Sequence, residues 1–183
     1  MPTVLYGNLV FSGNLLPPGL SLPIKVKGEL RFESCNIPSG MRLPYELDRL
    51  VFRECTLEQS YKFAFETTPK ISIESCILPE KFVFPDIPYR VLSFYNVKIP
   101  ASLELPDCFT GNLEFENCSI PSQFKMPSTI NGELVIRFPK NSERLKLPSN
   151  GDYELVISDE SELLNYDVPD TVKNKMIIDD CPF

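Results

Sequence analysis

The chain has 183 residues, of which 43% are hydrophobic, and its formal net charge at pH 7 is −7. Such an acidic balance disfavours sequence-independent binding to phosphate backbones or to anionic lipid, so we expect neither a nucleic-acid partner nor a membrane partner. Histidine is absent from the sequence, which removes a common general base and a common zinc ligand.

An apolar residue opens a repeated segment at regular intervals along the whole chain. Every step between successive opening residues is 21 residues, except for a single step of 20 from Leu30 to Leu50. A period of this length is typical of repeat arrays in which similar units stack. The pattern predicts one array over residues 1–183, with both ends of the chain falling inside a repeat unit. The opening residues are Leu9, Leu30, Leu50, Ile71, Leu92, Leu113, Leu134, Leu155 and Met176.

Each unit begins with a short alternating segment. With the opening residue as position one, position three is apolar in every unit, and variable residues stand between and after them. This alternation predicts a strand with one buried face. A second alternating segment then ends in proline, which removes a backbone donor and disfavours helix in the residue before it. The return side should therefore be extended or polyproline-like, with little or no helix. These prolines are Pro23, Pro44, Pro85, Pro106, Pro127, Pro148 and Pro169.

The third unit shows the repeat pattern most clearly. Residues 47–57, LDRLVFRECTL, fit the pattern L-x-x-L-x-L-x-x-C-x-L with Phe at one Leu position. This is similar to the leucine-rich repeat, whose ninth position is Asn or Cys. The resemblance covers essentially the whole chain and implies a repeat solenoid of about nine units with a parallel β-sheet on its concave face. The proline-bounded return side is nearer to the short bacterial repeats of IpaH-like secreted effectors.

Position six is occupied by cysteine in five units. Because neighbouring units stack, we expect these thiols to form a buried structural column near the turn that follows each strand. Disulfides, a zinc site and a catalytic thiol are the alternatives. They are less favoured, because a chain without a visible secretory signal, a C-x-x-C pair or a histidine offers little to support them. We predict no metal and no cofactor, and we expect Cys108, which lies outside the column, to be exposed. The column is Cys35, Cys55, Cys76, Cys118 and Cys181, with Asn14 in the first unit.

The variable strand residues are the predicted functional surface. The residue before position one and the residues at positions two, four and five should face the concave side. A mixed-charge face with aromatic anchors is typical of a protein-binding surface. A second candidate site for a basic partner is the acidic C-terminal end, from Asp159 to Asp180. The predicted partner-binding residues are Arg53, Glu74, Tyr95, Glu116, Arg137 and Phe138.

Two departures from the pattern fall in the seventh and eighth units. Asn141 stands where an apolar residue is expected, so we predict that the corner between residues 138 and 145 loops outward. The segment SDESELLNY, residues 158–166, has a Ser or Asp cap with Glu three residues later, and it predicts a single helical turn.

These observations favour a non-catalytic protein-binding scaffold over an enzyme. The resemblance to secreted effectors adds a host protein as the expected kind of partner. One alternative is an assembly module that self-associates through the open ends of the array. The other is a β-solenoid carbohydrate-active enzyme that uses Glu74, Glu114 and Glu116. The N-terminus lacks a secretory pattern, so we expect a reducing, cytoplasmic location, or delivery into a host cell by a route that the sequence does not show.

Overall fold

The computed structural model describes residues 3–13, 16–17, 19–38, 40–58, 65–140 and 144–179. It is a β-solenoid, as predicted, in which parallel strands stack about 21 residues apart. A 3₁₀ helix spans Glu160–Asn165, and a single turn of α-helix, α1, spans Asp170–Lys173. The strands are β1 Val4–Tyr6, β2 Leu9–Ser12, β3 Lys25–Glu33, β4 Asn36–Ile37, β5 Glu46–Arg53, β6 Thr56–Leu57, β7 Lys70–Glu74, β8 Val91–Tyr95, β9 Cys108–Thr110, β10 Asn112–Glu116, β11 Thr129–Arg137, β12 Leu145–Lys146, β13 Asn150–Ile157, β14 Tyr166–Asp167 and β15 Met176–Ile178.

Eleven strands form one parallel sheet along the concave side. Its path runs β1-β3-β5-β7-β8-β10-β11-β13-β15, while β2 pairs with β3 and β9 pairs with β11. The opening residue of each unit is the register partner of the next opening residue, as for Leu30 with Leu50 and Leu92 with Leu113. The single 20-residue step appears as a register shift between Val26 and Glu29 in β3. A one-residue difference between paired strands is absorbed by such a bulge.

Positions one and three of each strand build the core. From the second unit to the eighth, both positions are fully buried in every strand. Phenylalanine at position three stacks on phenylalanine in the next unit, with ring centroids 5.3 Å apart for Phe11–Phe32 and 5.2 Å apart for Phe94–Phe115. This separation follows from the strand spacing of about 4.8 Å, which brings equivalent rings into van der Waals contact.

The return side is extended, as the prolines predicted. In its described residues it carries short parallel pairings, β4 with β6 and β12 with β14, and isolated bridges such as Val83 with Glu104. The helical turn predicted for residues 158–166 is present as the 3₁₀ helix, with the Asp159 carboxylate accepting a hydrogen bond from the Ser161 N–H. Asn141 and the rest of residues 141–143, the middle of the predicted outward loop, lie outside the described residues.

The cysteines form the predicted column. Each described thiol in it is buried and lies 3.2–3.3 Å from the carbonyl oxygen at position four of its own unit. Each also reaches the carbonyl oxygen of position three in the preceding unit. The thiols therefore satisfy backbone acceptors near the turn. The members are Cys35, Cys55, Cys76 and Cys118, whereas Asn14 and Cys181 lie outside the described residues.

Burial makes the column thiols unreactive, which is testable by alkylation. Burial raises the pKa of Cys118 to about 11, so the thiolate fraction at pH 8 is on the order of one in a thousand. The hydrogen bond between Cys55 and Cys76 raises the pKa of Cys76, together with burial, and lowers the pKa of Cys55. Cys55 is protected because it is fully buried, out of reach of a reagent. Cys108 is exposed, as predicted. Iodoacetamide at pH 8 should modify Cys108 in the folded protein and spare the column, as read by peptide mass mapping.

The matched control for this labelling is the same reaction in denaturant, where every column cysteine should be modified. Modification of a column cysteine at the same rate as Cys108 in the folded protein would contradict its burial.

Candidate functional site on the concave sheet face

Five of the six predicted binding residues lie side by side on the concave face. All five occupy position four, and each is the register partner of the next across adjacent strands. We call this set the recognition row. Because parallel strands in register place equivalent side chains about 4.8 Å apart, the row forms one continuous strip on the sheet. Its members are Arg53, Glu74, Tyr95, Glu116 and Arg137.

Phe138 lies beside the row and not in it. It follows the last residue of β11 and has a φ of 51°, in the left-handed region. Its backbone N–H donates to Ser158 Oγ at 3.2 Å and to Glu162 Oε1 at 3.1 Å. The ring is 39% exposed. A bulky residue at positive φ is uncommon and strained, so these two side-chain acceptors help to hold the corner.

The left-handed conformation recurs at position five. In five consecutive units this residue turns the chain, and its N–H donates to the position-four carbonyl of the next unit. The positive φ ends the strand at position five, so this residue stands at the edge of the sheet face. The residues are Ser34, Glu54, Ser75, Asn96 and Asn117, with φ between 51° and 54°.

Position two was also expected on the open face, and this is wrong for four units, in which the residue is buried: Val51, Ser72, Val135 and Val156. At the two ends of the array Val10 and Ile177 are exposed, and Glu114 in the sixth unit is half-buried. The buried side chains are shorter than residues at the flanking positions, such as Arg49 and Arg53 beside Val51. The accessible part of the concave face is therefore narrower than the alternation of the sequence suggests.

Ion pairs connect the concave face of the second, third and fourth units. Glu29 contacts Arg31 at 2.7 Å and Arg49 at 3.3 Å. Arg53 then joins Glu33 at 3.8 Å to Glu74 at 2.7 Å. Single exposed pairs contribute about 0–1 kcal/mol. Their main consequence here is that the charges of this region are matched within the protein.

A groove opens where this network ends. It has a volume of about 320 Å³ and spans β7, β8 and β10. Tyr95, which is 46% exposed, stands in the groove between its register partners Glu74 and Glu116. The groove is lined by Ser72, Glu74, Ser93, Phe94, Tyr95, Glu114 and Glu116.

Two carboxylates of the groove lack cationic partners. Within the described ranges, the side chains of Glu114 and Glu116 make no ion pair and no hydrogen bond. Burial raises the pKa of Glu114, opposed by the more distant charges of Lys70 and Arg137. Arg137 is the register partner of Glu116, yet it pairs with Asp179 two units away. The groove thus holds negative charge that the protein leaves unmatched.

The acidic C-terminal end is largely engaged in its own contacts. Asp159 caps the 3₁₀ helix, and Glu162 accepts from Ser158 Oγ at 2.6 Å. Asp167 pairs with Arg144 at 3.2 Å, and Asp170 pairs with Lys173 at 2.6 Å. This leaves less free charge for a basic partner than the sequence suggested, and Asp180 lies outside the described residues.

The groove offers charge and hydrogen bonds and little reactive chemistry. In the described part of the chain, no group of three His, Cys, Asp or Glu side chains could hold a metal ion. None of the helices in the described ranges has the length and hydropathy that a membrane crossing needs. What the arrangement can do chemically is bind a cation or a donor-rich segment beside an aromatic ring.

Comparison with known proteins adds no family to this description. No protein-family model matches the chain, and no curated protein or solved structure matches it. What is established is the architecture, a solenoid of stacked parallel strands about 21 residues apart.

The sequence pattern predicts the recognition row but not the groove that part of the row lines. Glu114, Ser72 and Ser93 were expected on the concave face, and Glu114 was also weighed as a catalytic carboxylate, but no cavity among them was predicted. The sequence signal for the groove was a pair of small residues, Ser72 and Ser93, at position two of adjacent units. The unit before them has Val51 at this position, and the unit after them has Glu114. Small side chains beside an aromatic residue leave space on a sheet surface.

Proposed function

We propose that the chain is a non-catalytic, leucine-rich-repeat-like recognition scaffold that binds a protein partner through its concave sheet face. The observation that carries the proposal is the recognition row, in which Tyr95 stands exposed beside the unmatched carboxylates of the groove. Core positions of the repeat are occupied by packing residues, so variation between units is concentrated on this face. Exposed aromatic residues among charged neighbours are frequent energetic centres of protein interfaces.

The resemblance to the repeat domains of secreted bacterial effectors supports a host protein as the partner. The middle strands of the sheet, β5, β7, β8 and β10, are each paired with a neighbour on both sides, which restricts the motion of the sheet face. A rigid surface loses little conformational entropy on binding, which favours affinity. The chain would therefore present a preformed surface to its partner.

The proposal predicts that removing the two exposed rings abolishes capture of the partner. The variant Tyr95→Ala with Phe138→Ala deletes both aromatic contacts, and each such contact at the centre of an interface is worth about 2 kcal/mol or more. The measurement is affinity capture with mass spectrometry, comparing the wild type with the variant. A partner present with the wild type and absent with the variant is the expected result.

The matched control is Ile77→Ala with Val83→Ala, which removes two exposed apolar side chains at positions beyond the strands of the main sheet. Capture should survive in this control. A partner that binds both variants as well as it binds the wild type would contradict recognition through the concave face. Capture of this chain alone would favour the self-assembly alternative.

A further inference from the structure

We propose that the groove on β7, β8 and β10 receives a Lys or Arg side chain from an extended basic segment of the partner protein. This inference rests on the proposed function and names the chemistry of the segment that the concave face recognises. It follows from the charge balance of the face, from the shape of the groove and from the position of Tyr95.

The charge balance changes sharply along the concave face. In the second to fourth units, each of Glu29, Glu33 and Glu74 contacts an arginine. At the sixth unit, neither Glu114 nor Glu116 has a partner among the described residues. A carboxylate gains most from a cation where it is partly shielded from water, and Glu114 is such a group.

The nearest cations of the protein do not neutralise the groove. Arg53 is shared between Glu33 and Glu74, and Arg137 is engaged with Asp179. Lys70 and Arg137 both oppose the rise that burial causes in the pKa of Glu114, but neither forms an ion pair with it. A cation from a partner protein would therefore contact the unpaired carboxylates of Glu114 and Glu116 and would lie beside Glu74.

The shape of the groove suits a long side chain. Its sides are carboxylates, whereas Ser72 and Ser93 are short and hydrogen-bonded to each other, with their Oγ atoms 3.2 Å apart. Their small size opens the volume of about 320 Å³ between the flanking strands. The apolar stem of Lys or Arg can lie against the Tyr95 ring while its charged end reaches the carboxylates.

Tyr95 supplies the third contact. It stands between Glu74 and Glu116 in register, and its side chain makes no hydrogen bond within the described ranges. A cation placed over an aromatic ring gains about 0.5–2 kcal/mol, more when water is excluded. Carboxylates on both sides of a ring are the arrangement that favours a cation over a neutral or acidic side chain.

The test uses a random dodecapeptide phage library selected on the wild-type protein. The enriched consensus peptide is then synthesised with a fluorescein label, and its affinity is measured by fluorescence anisotropy. We expect enrichment of Lys or Arg at one or more positions. The affinity of that peptide should fall at least about tenfold for Glu114→Gln with Glu116→Gln, since two charged contacts are lost.

The matched control keeps the same net charge as the groove variant. Glu80→Gln with Glu104→Gln removes two exposed carboxylates from the return side, and its affinity should stay within about twofold of the wild type. An equal loss in both variants would show nonspecific attraction to an acidic protein and would overturn the groove assignment. Circular dichroism of each variant establishes that the fold is retained.

Failure of this inference can be told apart from failure of the proposed function. In one outcome, the enriched peptides lack Lys and Arg but bind the Tyr95→Ala variant more weakly than the wild type. This would overturn the recognition of a basic segment and leave recognition through the concave face in place. Basic peptides whose binding is unaffected by Tyr95→Ala and by the groove variant would overturn both. A library that yields no enriched peptide would overturn recognition of a short basic segment, and the affinity capture described above would still test the scaffold itself.

Discussion

Phe94→Ala is expected to destabilise the fold by about 3–5 kcal/mol, the cost of deleting a large buried aromatic side chain. Phe94 is fully buried, and its ring stacks on Phe115 at 5.2 Å and meets Phe84 edge-on at 5.8 Å. Truncation leaves a cavity in the middle of the array, where the flanking units cannot collapse without breaking their own strand register. Urea unfolding monitored by circular dichroism measures the change in the free energy of unfolding.

The neighbouring residue provides the control for this substitution. Tyr95→Ala removes a ring of similar size one residue later, but that ring lies on the exposed face, so its effect should stay within about 0.5 kcal/mol. Similar losses for the two variants would contradict the assignment of Phe94 to the core and Tyr95 to the surface. Because stability in a repeat array is a sum over units and their interfaces, we expect Phe94→Ala also to make the unfolding transition less cooperative.

Gly132→Ala is expected to destabilise the fold by more than about 2 kcal/mol. Gly132 has a φ of +147°, and an added Cβ would lie 2.2 Å from the carbonyl oxygen of Gly111 in the preceding unit. Residues held in sparsely populated backbone regions cost about 1–3 kcal/mol each, and the clash with a backbone atom that is fixed in the sheet adds to this. Thermal and urea unfolding would both report the loss.

Gly40→Ala is the matched control, since nothing lies within 4 Å of the position that its Cβ would occupy. There the substitution should be neutral or stabilising by up to about 1 kcal/mol, because it lowers the entropy of the unfolded chain. If Gly132→Ala proved as harmless as Gly40→Ala, that result would contradict the close approach of the backbones at Gly132 and Gly111.

Gly132 also belongs to a repeated sequence pattern on which none of the predictions from the sequence rested. Gly-x-Leu recurs at 7–9, 28–30, 111–113 and 132–134, always two residues before the opening leucine. Only the structure shows why: at Gly132 the backbone of one unit lies against the backbone of the unit before it. The sequence shows the regular spacing of these glycines, whereas the distance between two units depends on how the units stack.

Most of the fold was predictable because it is periodic. Once the opening residues were aligned, their register in the sheet followed, and Leu92 does pair with Leu113. The burial of positions one and three, the buried cysteines and the extended return side followed from the same alignment. The period also placed Glu74, Tyr95 and Glu116 next to one another, since equivalent positions in a stacked array must be neighbours.

The periodicity of the chain by itself determined which residues are equivalent, and with it the solenoid, the core and the recognition row. The tertiary structure alone decided which charges are satisfied and which surface is open. Arg137 pairs with Asp179 two units later and not with its register partner Glu116 in the preceding unit, Phe138 turns into the left-handed corner, and Val51 is buried. These outcomes depend on side-chain length, backbone conformation and competition between partners in space. The repeat pattern of the sequence determines which residues are neighbours. It does not determine with which neighbour a flexible charged side chain forms an ion pair.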